Sequence, residues 1–476
     1  MKTIKIGLLP FYLELYDKIF PPERRKPLAA FYASVANALQ RQGVEVVTAK
    51  ICRLKPEFAA AIKKFEKAEV DAIVTLHLAY SPSLESAEVL VRTRLPIVVF
   101  DTTPDFAFDP SQLPEKIMTN HGIHGVQDMC NLLIRNNKPF IIEAGHWKKS
   151  DVRARVISGA RAARIASSFR RSRVGQIGKA FGGMGDFSLP AEILKQKLGI
   201  QTVPCDCRQL SRICKSIPGR DVDAEIKNNK RQFAIRPGIK KAHQHSVRIG
   251  LAVRKWIEQK KITAFTVNFL DVTRKTGLPT VPFLEASLGM ARGIGYAGEG
   301  DVLTAALVGA LATVFPDTTF TEMFCPDWKG ATIFLSHMGE VNVNLLAGKP
   351  VLMEYPFVFG DVENPVKPAG CLRTGKAVFV NLAPLPDDHF RLILSPVVMM
   401  QPKGKDRFTD AVRGWMKPSL KISDFLAEYS RAGGTHHAAL VYDADMEILS
   451  GFGKLMGWEV VEIPSEKSAV MSQNSE

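Results

Sequence analysis

The alternation in the first 145 residues constrains this chain most. Short apolar runs, "IKIGLL", "EVVTAKI", "DAIVTLHL" and "PIVVFD", are separated by stretches with helical spacing, "PLAAFYASVANALQRQG", "PEFAAAIKKFEKA" and "SLESAEVLVRT". Strands joined through helices pair in parallel, so the alternation predicts a parallel sheet with crossover helices on its faces. Ligands bind such sheets at the carboxyl ends of the strands, where "TLHLAYSPS" and "VVFDTTPD" break into polar, turn-forming sequence.

The same texture resumes in "VGQIGKAFGGMGDFSLP", "AEILKQKLG" and "IQTVPCD", followed by a helix over about 240 to 260 and by "ITAFTVNFLDV". Beyond Phe315 it changes to short strands and turns, including "ATIFLSHM", "PVLMEYPF" and "RLILSPVVMM". The expected fold is α/β: two doubly wound Rossmann-like domains, 1–172 and 173–315, followed by a mostly β carboxy-terminal domain, 316–476. A chain of 476 residues suits three domains at about 100–200 residues each.

Two apolar segments, "IKIGLLPFYL" and "LTAALVGALATVF", are shorter than the roughly 20 residues a spanning helix needs, and the first lacks a small-residue cleavage site. No membrane association is expected, and the expected location is the cytoplasm. The seven cysteines, an odd number scattered along the chain, do not read as a disulfide framework. Cys205 and Cys207, with Cys214, form a soft-metal alternative without the CxxC pairs of a zinc ribbon.

The formal net charge is +15, with ten basic residues between His146 and Lys179 against one acid, Asp151. A nucleic-acid surface needs base contacts beside its phosphate contacts, and this stretch offers only Trp147 and Phe169. An amphipathic helix with an Arg-rich side facing solvent or a subunit is the better reading. Nucleic acid is therefore not an expected partner, while the charge leaves a phosphorylated substrate open.

"RGIGYAGEGD" contains Gly293-x-Gly295-x-x-Gly298, the glycine spacing of a dinucleotide fingerprint. That fingerprint must leave a strand and enter a helix. The preceding "PFLEASLGMAR" has helical apolar spacing, so the segment is read as helix, glycine-rich turn and helix, with no strand and no nucleotide site. The turn presents Glu299 and Asp301 before a helix, where an N-cap and a solvated turn residue are the alternative reading. Further carboxylate and imidazole groups lie at Glu322 of "TTFTEMF", His337 of "IFLSHMGE", and His436 and His437 of "AGGTHHAALVY". Two carboxylates and two imidazoles can converge on a hard or borderline divalent ion. Because side chains alternate along a strand, only one of His436 and His437 is expected to be a direct ligand.

The segments "GYAGEGDVLTAALVGAL", "TTFTEMF", "LSHMGEV" and "AGGTHHAALV" resemble, in order and approximate spacing, those of the L-arabinose isomerase family within the L-arabinose/L-fucose isomerase superfamily. Weaker likenesses are "LHLAYSPS", "NHGIHGVQDM", "EAGHW", "FGGMGDF" and "FTVNFLDV". The resemblance implies an aldose–ketose isomerase, an intramolecular oxidoreductase that passes through an enediol. It also implies a divalent cation, Mn2+ by expectation with Co2+ or Mg2+ as alternatives, held by Glu299, Glu322, His337 and His437. Glu299 and Glu322 are then the proton-transfer pair, and Asp301 orients a ligand or assists ring opening. Met184, Phe269 and His121 line the sugar pocket, His121 being contributed by a neighbouring subunit of a homotrimer or homohexamer.

The chain departs from the family in its sugar-recognition segments. L-arabinose isomerases carry Gln-His-Leu-Tyr-Gly after the first strand, where this chain reads "LLPFYLELYDKIFPPERRKP". They carry His-Thr-Gln where it reads "VVFDTTPD". Tyr12, Tyr16 and Glu14 are candidates to take over recognition, with Tyr12 foremost. The expected substrate is a pentose or hexose other than one read by the usual loop. The alternative is a non-catalytic sugar-binding or sensing protein on the same fold.

Overall fold

The computed structural model describes residues 3–401 and 404–463. The described residues divide into two compact units, 3–167 with 447–458, and 168–446 with 459–463. Among the described residues no helix is long and apolar enough to cross a membrane.

In the first unit, β1 (Lys5–Phe11), β2 (Glu45–Thr48), β3 (Ala72–His77), β4 (Ile97–Asp101) and β5 (Phe140–Ala144) form one sheet in the order β2-β1-β3-β4-β5. Every pairing is parallel, as crossover helices require. The central strand β3 is buried along its whole length, which is why it reads as a continuous apolar run rather than an alternating one.

The basic stretch folds into the helix Val152–Arg170, but not with a simple Arg-rich outer side. Ala160, Ala162, Ala163, Ile165 and Ala166 are fully buried, and Arg164 is buried with them while Arg161 is exposed. The Arg164 guanidinium meets Asp71 through two hydrogen bonds, Nε to Oδ1 at 3.1 Å and Nη2 to Oδ2 at 2.9 Å. Paired in this fork geometry, an arginine can be taken inside, which the sequence pattern does not disclose.

The second unit begins with β6 (Arg173–Ile177), β7 (Gln201–Cys205), the two-residue β8 (Ala234–Ile235), β9 (Ala264–Val267) and β10 (Gly295–Gly298). Apart from β8 these form a parallel sheet in the order β10-β9-β6-β7. Strand order reverses at β6, and the loops leaving the carboxyl ends of β6 and β9 emerge side by side there. This is the place where an open parallel sheet leaves a crevice for a ligand.

β10 corrects the reading of "RGIGYAGEGD". A strand is present, and two of the fingerprint glycines lie within it rather than in a turn. They are needed for close approach. A Cβ at position 295 would fall inside contact distance of the Ala305 carbonyl and 2.6 Å from the Gly309 Cα, both on the helix Val302–Ala312. A Cβ at 298 would lie 2.6 Å from the His337 ring. Glycine removes the side-chain alternation by which a strand is recognised, so the segment passes for a turn.

The helix Val302–Ala312 is apolar on all sides and almost entirely buried, packed against both the parallel sheet and the strands that follow it. Those strands are β11 (Thr318–Asp327), β12 (Thr332–Ser336), β13 (Val351–Glu354), β14 (Val366–Cys371), β15 (Gly375–Pro384), β16 (Phe390–Met400), β17 (Val412–Pro418), β18 (His437–Tyr442) and β19 (Glu459–Glu462). With β8 they run β19-β16-β15-β18-β11-β12-β17-β14-β13-β8, and β16 also pairs with β17. That extra pairing closes β15, β16, β17, β12, β11 and β18 into an antiparallel barrel. Leu335, Phe379, Ile393, Met399, Met416 and Leu440 belong to the buried cluster of this region.

Because the clash at 295 would be with backbone, it cannot be relieved by a rotamer change. Gly295→Ala is expected to destabilise the protein by about 1–3 kcal/mol, read as a lowered unfolding midpoint in urea. A midpoint unchanged from wild type would show that the helix can retreat and that the close packing is not required.

Candidate metal centre

Strand register brings the acids and imidazoles together. In the β11–β18 ladder Glu322 lies directly opposite His437, and in the β11–β12 ladder it lies opposite Ser336, the residue before His337. Residues facing each other across an antiparallel pair have neighbouring side chains. Three residues separated by 15 and 100 positions thus meet at one end of the barrel strands.

Glu299 arrives from the parallel sheet. It follows β10 directly with φ at +62°, in a turn where Gly300 has φ at +83°. Left-handed backbone is strained for a glutamate, by about 1–3 kcal/mol, and the turn is held by many bonds. Asp301 N donates to Gly298 O, the Thr266 hydroxyl donates to Gly298 O and accepts from Gly300 N, and Phe181 N donates to Glu299 O. The outcome is a carboxylate aimed out of the sheet edge instead of along the strand.

Each of the three imidazoles has its own carboxylate at Nδ1. His437 Nδ1 is 2.9 Å from Asp301 Oδ2, His337 Nδ1 is 2.8 Å from Glu340 Oε2, and His436 Nδ1 is 2.6 Å from Asp186 Oδ2. An ionised carboxylate only accepts, so the Nδ1 proton is fixed and Nε2 is left facing inward. His437 Nε2 is 2.9 Å from Glu322 Oε1 and 3.5 Å from Glu299 Oε2. His337 Nε2 is 3.4 Å from Glu322 Oε1, and His436 Nε2 is 3.7 Å from Glu299 and 3.9 Å from Glu322. His437 Nε2 and Glu299 Oε2 are buried and, despite these approaches, neither makes a hydrogen bond of good geometry.

One ligand atom each from Glu299, Glu322, His436 and His437 lies within 4.8 Å of the others. His436 therefore reaches the same cluster as His437, contrary to the alternation argument. The reason is that β18 starts at His437, so His436 precedes the strand and its backbone is not bound by strand geometry. His337 adjoins the group through Glu322. The donor set, carboxylate oxygens and imidazole nitrogens converging on one spot, suits a divalent ion of borderline hardness.

The acids and imidazoles shift one another. Burial pushes the Glu299 carboxyl up, but His436 and His437 outweigh it and bring it down to about 2. Burial lowers His437, yet Asp301, Glu299 and Glu322 raise it well above the ordinary imidazole value. His337 is raised by Glu340 against its burial, and His436 is raised chiefly by Glu299.

Asp301 has two functions. Its Oδ1 accepts from Thr304 N as the N-cap of the helix Val302–Ala312, while Oδ2 holds His437. Phe269, in the turn after β9, is buried with its ring 5.7 Å from Phe181. Met184 lies half-buried on the loop 178–190 that follows β6. His121 and Tyr12 belong to the first unit, where the Tyr16 hydroxyl lies 2.9 Å from His121 Nε2 and the Tyr12 and Tyr16 rings are 5.9 Å apart. The cysteines at 205, 207 and 214 are free, and burial pushes their thiols up to about 12, 11 and 11.

Four residues, Glu340, Tyr296, Lys367 and Asp186, are not singled out by the sequence pattern. Glu340 is buried, backs His337 and accepts from the Tyr296 hydroxyl at 2.7 Å. Lys367 is buried under the 337–340 turn, where its Nζ donates to Met338 O at 3.2 Å. Burial pulls its ammonium down to about 8. The fourth is Asp186. The spacing of "SHMGE" and the acid closing "GGMGD" were visible, but acids so placed are common in turns.

Residues 191–315 match the family described as the L-arabinose isomerase central domain, and residues 317–459 match the L-arabinose isomerase C-terminal domain. An L-arabinose isomerase of Herpetosiphon aurantiacus is 26% identical over 356 residues, covering 72% of this chain and 70% of that relative. One from Leuconostoc mesenteroides is 31% identical over 255 residues, covering 51% and 53%. One from a Thermotoga species is 26% identical over 421 residues, covering 84% and 82%. The family matches and the relatives define the class, the aldose–ketose isomerases. Within that class the chain belongs to the L-arabinose isomerase family.

The raised imidazoles make the metal-free protein pH-sensitive. A group with folded pKa above its unfolded value, about 6.5 for histidine, stabilises fully below 6.5 and loses that contribution as pH rises through the folded value. Glu299, lowered to about 2, acts at the acid end: its contribution is present above the unfolded carboxylate value and drains as pH falls toward 2. The melting temperature in chelator is therefore expected to fall as pH rises above about 6.5, and a flat profile there would show that the imidazoles are not held charged by these acids.

Proposed function

We propose that the protein is a divalent-metal-dependent aldose–ketose isomerase that interconverts a pentose or hexose aldose and its ketose through an enediol, with Mn2+ as its ion. The observation that carries this is the convergence of two carboxylates with imidazoles that are each backed at Nδ1 by an acid. Glu299, Glu322 and His437, with His337 or His436, are the residues that would hold the cation. When bound, the ion supplies charge stabilisation for the oxygens at C1 and C2 as negative charge develops there.

The chain's own groups supply positioning and proton transfer. Glu299 is ionised, so it has lone pairs with which to accept a proton. Glu322, across from His437, is the second carboxylate. One of the two moves the proton between C1 and C2 and the other serves the oxygens. Asp301 is a positioning residue that fixes the His437 ring. Phe269 and Met184 are assigned to the pocket wall.

His121 and Tyr12, grouped with Tyr16 in the first unit, are assigned to sugar recognition from a neighbouring subunit of a homotrimer or homohexamer. The replacement of the usual recognition loop by "LLPFYLELYDKIFPPERRKP" supports a sugar other than L-arabinose. With this reading go a cytoplasmic location and a division at 1–172, 173–315 and 316–476, with the two parallel sheets as Rossmann-like domains.

Removing metal with chelator is expected to abolish conversion in a panel of aldoses, and Mn2+ to restore it. Glu299→Gln and Glu322→Gln are each expected to lower turnover by at least about 100-fold with the melting temperature of the folded protein preserved. Product formed in D2O should carry deuterium at the carbon that receives the proton. Near-normal turnover in either variant, or product free of deuterium, would sink the proton-transfer assignment. Thermal stabilisation by sugars without conversion of any would mark a sugar-binding protein instead.

A further inference from the structure

We infer that Asp186 is a positioning residue that aims the His436 imidazole at the Glu299–Glu322 pair, and that it couples ordering of the glycine-rich loop 178–190 to cation occupancy of the cluster. The inference rests on the metal reading above but concerns a residue to which that reading gives no role.

The three acid-backed imidazoles are not equivalent. Asp301 is anchored as the N-cap of a buried helix, and Glu340 is buried and bonded to the Tyr296 hydroxyl. Their histidines are aimed by fixed scaffold. Asp186 instead rides on the loop 178–190 and is 37% exposed, as His436 is 39% exposed. It holds His436 twice, through the ring at 2.6 Å and through the backbone N at 3.0 Å. With Nδ1 so engaged, Nε2 points to the carboxylates at 3.7 and 3.9 Å.

The loop grips the cluster at both ends and little between them. On the β6 side, Lys179 N donates to Asp271 Oδ2 at 2.7 Å, and Phe181 N donates to the carbonyl of Glu299 itself at 2.9 Å. On the far side, Phe187 stacks on His437 with ring centroids 4.8 Å apart and planes 12° from parallel. Between these anchors, Gly182, Gly183 and Gly185 have open space where a Cβ would stand, and Gly183 sits at φ +90°. Such a segment has few contacts of its own to fix it. Its order depends on the residues it grips.

Coupling between two such events is reciprocal. If a cation draws Glu299, His436 and His437 into one arrangement, it fixes three of the residues that anchor the loop. If the loop releases Asp186, His436 loses its aim and the cation loses a donor. Removal of a ligand's hydrogen-bonded acid lowers metal affinity by about 10- to 100-fold.

The test uses the full-length protein, with free Mn2+ followed by electron paramagnetic resonance and loop order followed by hydrogen exchange of peptides spanning 178–190. Wild type is expected to bind Mn2+ and to slow exchange in this loop when it does. Asp186→Ala is expected to bind Mn2+ about 10- to 100-fold more weakly and to lose that protection. Asp186→Asn, which keeps an acceptor oxygen for the imidazole, should retain most of the affinity. Tight Mn2+ binding by wild type without slower loop exchange would overturn the coupling even were Asp186→Ala to misfold. Equal Mn2+ affinity in wild type and Asp186→Ala would overturn the positioning role. Failure of wild type to bind Mn2+ would instead remove the metal reading, and this inference with it.

Discussion

The centre depends first on a place where there is no side chain. β10 can lie against the helix Val302–Ala312 only because position 295 is glycine, and His337 can stand over β10 only because position 298 is glycine. Were either residue larger, the parallel sheet and the barrel strands would be held further apart, and Glu299 from one would not reach Glu322 and His437 from the other. The distances here, 2.9 and 3.5 Å from His437 Nε2 to the two acids, leave no slack for such a displacement. The apolar helix supplies the matching constraint, since it is buried on all sides and has no solvent face toward which to slide.

Electrostatics then determines which atoms point inward. In a buried site two carboxylates repel one another, and imidazoles between them relieve that repulsion. Each ring is turned by a further acid so that Nε2, not Nδ1, meets the pair. The arrangement has five inward-facing acids or imidazoles and three supporting acids, and it is balanced only if protons or a cation occupy its middle. That explains why the imidazoles are raised and Glu299 is lowered in the metal-free protein. A bound cation must displace the Nε2 protons, so affinity for it rises with pH over the range in which those protons leave.

The sequence showed the parallel sheet of the first unit well, because strands and helices there keep clean periods. It showed the residues of the centre as types, since glutamates and histidines at the ends of apolar runs are conspicuous. It hid what depends on register and close packing. That Glu322 faces His437 is a property of strand pairing over more than a hundred residues, and no local pattern encodes it. β10 was missed because glycine has no face to alternate, and Arg164 because an arginine is counted as surface until its partner Asp71 is seen. Asp186 and Glu340 carry no signal beyond being acids in turns. Their importance lies in which ring nitrogen they touch.

His436 shows how a rule about strands fails at a strand's first residue. Alternation would turn its ring away from that of His437, and it holds for residues whose backbone is bound in a ladder. At 436 the backbone N bonds to a side chain, Asp186, instead of to a neighbouring strand. The residue is thereby free to place its ring beside that of His437, with centroids 4.3 Å apart. The acid that releases it from strand geometry also directs its imidazole, so one carboxylate determines both the backbone path and the direction of a donor. His337 is the contrasting case: buried, it is directed by Glu340, which is buried with it. The centre thus combines donors fixed by the core with one held from an exposed segment, the arrangement by which a site can be preorganised and still admit a ligand.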